Sequence, residues 1–124
     1  MSNELWSANI SQIGADAEMM FSEGVIILFG EPVPPSLAEV ALVHTGGSTL
    51  TRDLVVGDVV DIDGHKYTVT ALGEIANKNL AELGHIVLYV NQPDQSVLPG
   101  AVLVSGPDEF TTPQVGAKIR VMGA

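Results

Sequence analysis

Val59-Val60-Asp61-Ile62-Asp63-Gly64-His65-Lys66-Tyr67-Thr68-Val69-Thr70-Ala71-Leu72 carries the clearest hairpin signal in the chain. Two alternating runs meet at Asp63-Gly64, and an Asp-Gly pair in that setting predicts a two-residue type I′ turn, in which both central residues take positive φ. Val59, Asp61 and Asp63 alternate with Val60, Ile62 and Gly64, while Tyr67, Val69 and Ala71 share one face across the turn. His65 follows the turn directly and is expected to lie in solvent.

Toward the N-terminus, Glu4 to Ile13 alternates imperfectly and stops at Gly14, which predicts a first strand. Ala15 to Phe21 reads as a helical turn. Val25-Ile-Ile-Leu-Phe is the most apolar run and predicts a core strand. Pro32, Pro34 and Pro35 forbid regular pairing, and Ser36 is expected to cap a short turn through Val40. Ala41-Leu-Val-His44-Thr45 is then an apolar strand running into Gly46-Gly47.

Toward the C-terminus, Ile75, Ala76, Leu80 and Leu83 recur at near-helical spacing, and Gly84 is placed to end a helix in a left-handed conformation. Ile86-Val-Leu-Tyr-Val predicts a mostly buried strand, which sets His85 at a helix-to-strand joint. After the loop Asn91 to Gln95, Leu98-Pro-Gly leads to a strand at Ala101-Val-Leu-Val, closed by Ser105-Gly-Pro. Asp108 to Pro113 is polar and turn-like. Val115 to Gly123 echoes Val56 to Gly64, each reading Val-Gly, then alternating apolar positions, then Gly. The echo is too short to establish a duplication, but it marks two turn-then-strand units of one β-architecture.

Short strands punctuated by glycine and proline predict a mainly β fold, barrel or sandwich. A compact closed or nearly closed β-barrel of six to eight short strands with one or two short helical turns is preferred, because closure removes exposed apolar edges. The 124 residues, 46% of them hydrophobic, suit a single domain spanning 1–124. Fifteen acidic against five basic side chains give a formal net charge of −10, which repels nucleic acid and anionic lipid and favours a basic protein surface. No apolar run reaches the roughly 18 residues of a membrane-spanning helix, and the first residues lack a signal-peptide pattern, so a cytoplasmic protein is expected. Strand edges also leave a homodimer open.

The available chemistry is narrow. There is no cysteine, and no His-Glu-x-x-His, phosphate-binding lysine loop, dinucleotide fingerprint or Gly-x-Ser-x-Gly elbow. Neither metal nor cofactor is expected. Histidine as a nucleophile remains, and it needs a neutral ring nitrogen facing solvent, the other nitrogen fixed by a hydrogen bond, and donors for an incoming anion. His44 and His85 have glycine beside them to supply such donors, although structural histidines bonded to a nearby carbonyl fit the same pattern. His65 ranks third, since a hairpin tip lacks walls that exclude water.

Further segments carry a family resemblance. Ile13-Gly-Ala, Ile27-Leu-Phe before Glu31-Pro32, and Leu37-Ala-Glu running into Val43-His44 are followed by Tyr67-Thr-Val-Thr-Ala-Leu-Gly-Glu, Asn79-Leu-Ala-Glu-Leu-Gly-His85, Leu98-Pro-Gly and Ser105-Gly-Pro. In this order they resemble the glucitol/sorbitol-specific IIA component of the phosphotransferase system. The resemblance implies a compact β-barrel acting as a cytoplasmic phosphocarrier, taking a phosphoryl group from the carrier protein HPr and passing it to the IIB/IIC units of a membrane permease. It places the phospho-accepting histidine on His44, and by looser analogy it gives His85 an assisting role; Thr45, Gly46 and Gly47 are expected to bind the phosphoryl group, because a glycine pair lets main-chain N–H groups approach an anion closely. One departure is visible: Thr45-Gly46-Gly47 is plainer than the His-Cys-His-Gly surround of some relatives. The competing readings are a non-catalytic acidic β-barrel that binds a sugar or protein, and a metal-binding barrel using His44, His65 and His85.

Overall fold

The computed structural model describes residues 3–47, 50–107 and 112–123. In chain order the elements are β1 (Asn3–Ile13), α1 (Ala17–Ser22), β2 (Val25–Gly30), α2 (Pro35–Ala38), β3 (Ala41–Thr45), β4 (Val59–Ile62), β5 (His65–Leu72), α3 (Ala76–Leu83), β6 (Ile86–Val90), β7 (Ala101–Ser105) and β8 (Lys118–Gly123). Asp63 and Gly64 take φ of 50° and 89°, the positive values that a type I′ hairpin needs. Among the described residues no helix is long and apolar enough to cross a membrane.

The strands close into a barrel in the order β1-β3-β2-β6-β7-β5-β4-β8, with β8 returning to β1. Only β2 with β3 and β6 with β7 run parallel. β1 makes closure possible by serving two neighbours: residues up to Asn9 pair with β8, and Asn9 to Ile13 pair with β3. A register shift between Ile10 and Gln12 bends the strand at that handover, as a bulge does. Leu28, Leu42, Ile62, Ile86, Leu88 and Ile119 fill the interior. Outside, α2 covers β2 and β3 through a smaller cluster of Phe29, Ala38, Ala41 and Val43. β3 is therefore buried on both faces, which is why its sequence is apolar without alternation.

The echo between 56–64 and 115–123 belongs to a repeat that spans the barrel. The bond from Gly14 N to Ala41 O (2.9 Å) is matched by Gly73 N to Ala101 O (2.8 Å), and Gly57 N to Val69 O (2.9 Å) by Gly116 N to Ile10 O (2.8 Å). Ser11 Oγ donates to Val43 O at the bulge of β1, and Thr70 Oγ1 to Leu103 O at the bulge of β5. The halves meet at two self-matching pairs, Ile27 opposite Val87 and Asp61 opposite Arg120. A pseudo-twofold relation through those pairs matches β1-α1-β2-β3-β4, element by element, to β5-α3-β6-β7-β8. An internal symmetry wider than the sequence echo is thus visible in the hydrogen bonding.

Several local expectations change. Ser36 does not cap α2: the helix starts at Pro35 after Pro34, and Ser36 sits within its single turn. The face shared by Tyr67 and Val69 does not continue to Ala71, because the bulge between Val69 and Ala71 turns Leu72 toward the core instead. His65 is half-buried, its Nδ1 3.3 Å from Ile62 O, since the tight turn folds it back onto β4. On α3 only Ala76 and Leu80 are buried, and Ile75 and Leu83 stay exposed because so short a helix lays one narrow stripe on the barrel. The polar stretch expected from Asp108 lies, as far as residue 111, outside the described residues.

Tyr67 gives the core a pH signature. It is fully buried, and burial pushes its phenol up to about 12. Above pH 10 an unfolded chain releases this proton while the folded barrel holds it, so the stabilisation is complete below pH 10 and is lost between 10 and about 12. In a Tyr89→Phe variant, which leaves Tyr67 as the only tyrosine of two, tyrosinate absorbance should rise near pH 12 together with loss of structure. A step at pH 10 with the fold intact would contradict this.

Candidate functional site

His44 is delivered by β3, where Leu42 points into the barrel and Ala41 and Val43 point out beneath α2. Strand alternation turns His44 inward with Leu42, at the end of the strand where Gly30 of β2 lies opposite. The expectation of a solvent-facing imidazole is corrected: the residue is only 3% exposed. Trp6 of β1, itself buried, meets the ring edge-on, with centroids 5.1 Å apart and planes at 84°. Access is through a pocket of about 220 Å³ lined by Trp6, Gly30, Glu31, His44, the Thr45–Gly47 turn and the end of α3 from Leu80 to Gly84.

One bond sets the chemistry of the imidazole. Nε2 lies 2.7 Å from the carbonyl oxygen of Gly84. A carbonyl only accepts, so Nε2 carries the proton and donates it, and in the neutral ring Nδ1 holds the lone pair. Nδ1 has no hydrogen-bond partner among the described residues. Burial lowers the pKa of His44 below 6.5 and outweighs the Gly84 carbonyl and the Glu31 charge, which both raise it. The ring is therefore neutral at pH 7, the form a nucleophile needs.

The helix-to-strand joint explains how that carbonyl reaches the ring. Gly84 ends α3 with φ of 64°, and a Cβ placed on it would collide with His44 Cε1 and lie 2.9 Å from Nε2. Only glycine gives both the left-handed turn and the close approach. At the same edge of the ring, a Cβ on Gly30 would stand 2.7 Å from Leu83 O and 3.3 Å from His44 Cε1.

The expected site residues divide. His44, Thr45, Gly46 and Gly47 come together in one pocket, with Gly46 at φ of 70° and Gly47 against the Trp6 indole. His85 stands outside that lining. Its Nδ1 is 3.1 Å from Leu28 O, and its ring packs on Phe29 with centroids 4.5 Å apart. It reaches His44 through the chain, as the residue after Gly84. His65 stays at the hairpin, and among the described residues no three His, Asp or Glu side chains gather in a group that could hold a metal. Sequence reading missed Trp6, Gly30, Glu31 and the Gly84 carbonyl as parts of the site. Gly84 carried a signal, but as a helix terminator. A main-chain oxygen contacting a side chain from a distant strand leaves no mark in composition or spacing.

The pseudo-twofold supplies an internal comparison. A smaller pocket of about 160 Å³, lined by residues including Phe21, Gly24, Ile26, Val90 and Asn91, occupies the equivalent place in the other half. There Gly24 corresponds to Gly84, Val90 to Gly30, and Val104 stands where His44 does, as the matched strand registers show. The two halves kept the same frame, and one of them has the imidazole.

The family model for the PTS system glucitol/sorbitol-specific IIA component matches residues 5–120. The glucitol/sorbitol-specific EIIA components of Shigella flexneri and Escherichia coli are each 36% identical to the chain over 103 residues, covering 83% of this chain and 83% of theirs. The crystal structure of a PTS system IIA component from Enterococcus faecalis superposes with a TM-score of 0.74 at 28% identity, covering 91% of this chain and 96% of that one. With a family match across nearly its whole length and the same barrel in a solved relative, the chain belongs to the glucitol/sorbitol-specific IIA components of the phosphotransferase system.

Proposed function

We propose that this protein is a phosphoryl carrier of a sugar phosphotransferase system, with His44 as the phospho-acceptor. The observation that carries the reading is the anchored, neutral imidazole at the base of a pocket open to solvent. The donor is phospho-HPr and the acceptor the IIB/IIC units of a glucitol/sorbitol-type permease, the sugar class that the relatives' names give. The whole of 1–124 acts as one cytoplasmic IIA domain. Such transfer needs positioning and charge stabilisation more than covalent machinery. It also needs local donors, because a net charge of −10 opposes an incoming phosphoryl group. Thr45, Gly46 and Gly47 line the pocket beside the imidazole and are assigned that task. His85 assists indirectly, its bond to Leu28 O and its packing on Phe29 holding the joint that presents the Gly84 carbonyl.

Incubation with phosphoenolpyruvate, enzyme I and HPr should add about 80 Da to the intact protein. No gain with both general proteins active would favour the binding-module reading. Gly47→Val tests the donor assignment: a Cβ there meets the Trp6 ring at an ordinary 3.5 Å, so the fold should hold. The branched side chain should crowd the space beside the imidazole and hold an incoming phosphoryl group off its main-chain donors, slowing acceptance by about tenfold to a hundredfold, the order that a misplacement of about 1 Å costs. An unchanged rate would remove these glycines from the site.

A further inference from the structure

We propose that the phosphoryl group is carried on Nδ1 of His44, while the Gly84 carbonyl keeps the proton on Nε2 throughout the transfer. This rests on the carrier reading above and adds which atom reacts. Two independent features of the pocket lead to it. The first is the bond from Nε2 to Gly84 O at 2.7 Å, which commits that nitrogen as a donor and its lone pair to the ring π-system. The second is space. The Cε1–Nε2 edge is closed by the Gly84 and Gly30 backbones so tightly that a single carbon added to Gly84 would overlap the ring. A phosphoryl group is larger than a methyl group, so the edge that excludes one excludes the other. Nδ1 is left as the nitrogen with both a lone pair and no partner among the described residues.

The step balances without moving a proton onto or off His44. The Nδ1 lone pair attacks phosphorus in line with the donor's phosphorus–nitrogen bond, that bond breaks, and its electron pair returns to the donor's imidazole nitrogen. His44 then has phosphorus on Nδ1 and hydrogen on Nε2, so its ring takes up positive charge. The bond to Gly84 O becomes charge-assisted and strengthens as the charge develops, and Glu31 on the pocket wall favours the same charge. A bond that tightens along the reaction coordinate stabilises the transition state more than the ground state. Passing the group on reverses every step, which suits a carrier that must give up what it receives.

The test is nuclear magnetic resonance of the full chain labelled with nitrogen isotope in histidine, the His44 signals being assigned by their loss in His44→Gln. Unphosphorylated protein should show His44 as the Nε2–H tautomer, and an Nδ1–H tautomer would overturn the proposal without needing any partner protein. After phosphorylation by phosphoenolpyruvate, enzyme I and HPr, phosphorus–nitrogen coupling should fall on Nδ1. Coupling on Nε2 would overturn the proposal and leave the carrier reading standing. Absence of any phosphohistidine at His44 would defeat the carrier reading itself and this inference with it.

Discussion

His44→Gln should abolish phosphoryl acceptance, more than a thousandfold down in rate, and leave the barrel close to wild-type stability. Loss of the nucleophile removes the covalent route, and among the described lining residues there is no second imidazole to replace it. The choice of glutamine makes the result interpretable. Its amide N–H can sit near the position of Nε2 and keep a donor for Gly84 O, which otherwise becomes a buried acceptor without a partner. His44→Ala should lose the activity too, but it also opens a cavity under Trp6 and orphans that carbonyl, so it should cost about 2–4 kcal/mol of stability. Intact mass after phosphorylation and thermal unfolding of both variants check the pair. A glutamine variant that still gains a phosphoryl group would place the acceptor elsewhere. One destabilised as much as the alanine variant would show that the Gly84 bond matters less than the ring's packing.

Gly84→Ala should slow phosphoryl acceptance by about a hundredfold, the order expected when a reacting group is moved by about 1 Å. The added carbon would run into His44 Cε1, and both that atom and Nε2 belong to a ring wedged against Trp6, so the imidazole must move. The left-handed backbone adds about 1–2 kcal/mol of strain for any residue with a Cβ. The pseudo-twofold provides the control. Gly24 takes the same place after α1 with φ of 77°, so Gly24→Ala carries similar strain. The nearest atom to its added carbon is the amide end of the flexible Gln92 side chain, 2.8 Å away, and no imidazole is near. Both variants should unfold at lower temperature, and only Gly84→Ala should lose transfer. Equal losses of transfer would mean that strain in the frame, rather than displacement of His44, limits the reaction.

The fold class was legible because closure depends on local signals that recur. The Asp63-Gly64 turn, the apolar run of β2 and the glycine after α3 each announce an element through their own residues, and all three appear where expected. Legibility failed where one element's fate depends on another. Ala71 continues the alternation of Tyr67 and Val69 in sequence, yet a bulge hands the core position to Leu72 because β5 must bend to pair with β7. Leu83 completes a helical stripe and stays exposed because so short a helix lays only Ala76 and Leu80 on the barrel.

The candidate site divides in the same way. Residue chemistry alone determined that a chain with no cysteine and three histidines has little besides an imidazole to offer a reactive phosphoryl group, and spacing alone set His44 against a glycine pair at the end of an apolar strand. What the sequence could not contain is the partnership of that imidazole. Its depth, its edge-on contact with Trp6 and the proton held toward Gly84 arise because the closed barrel brings β1, β3 and the end of α3 to one rim. The deciding contact is made by a main-chain oxygen, which every residue possesses, so only the path of the backbone in three dimensions could select it.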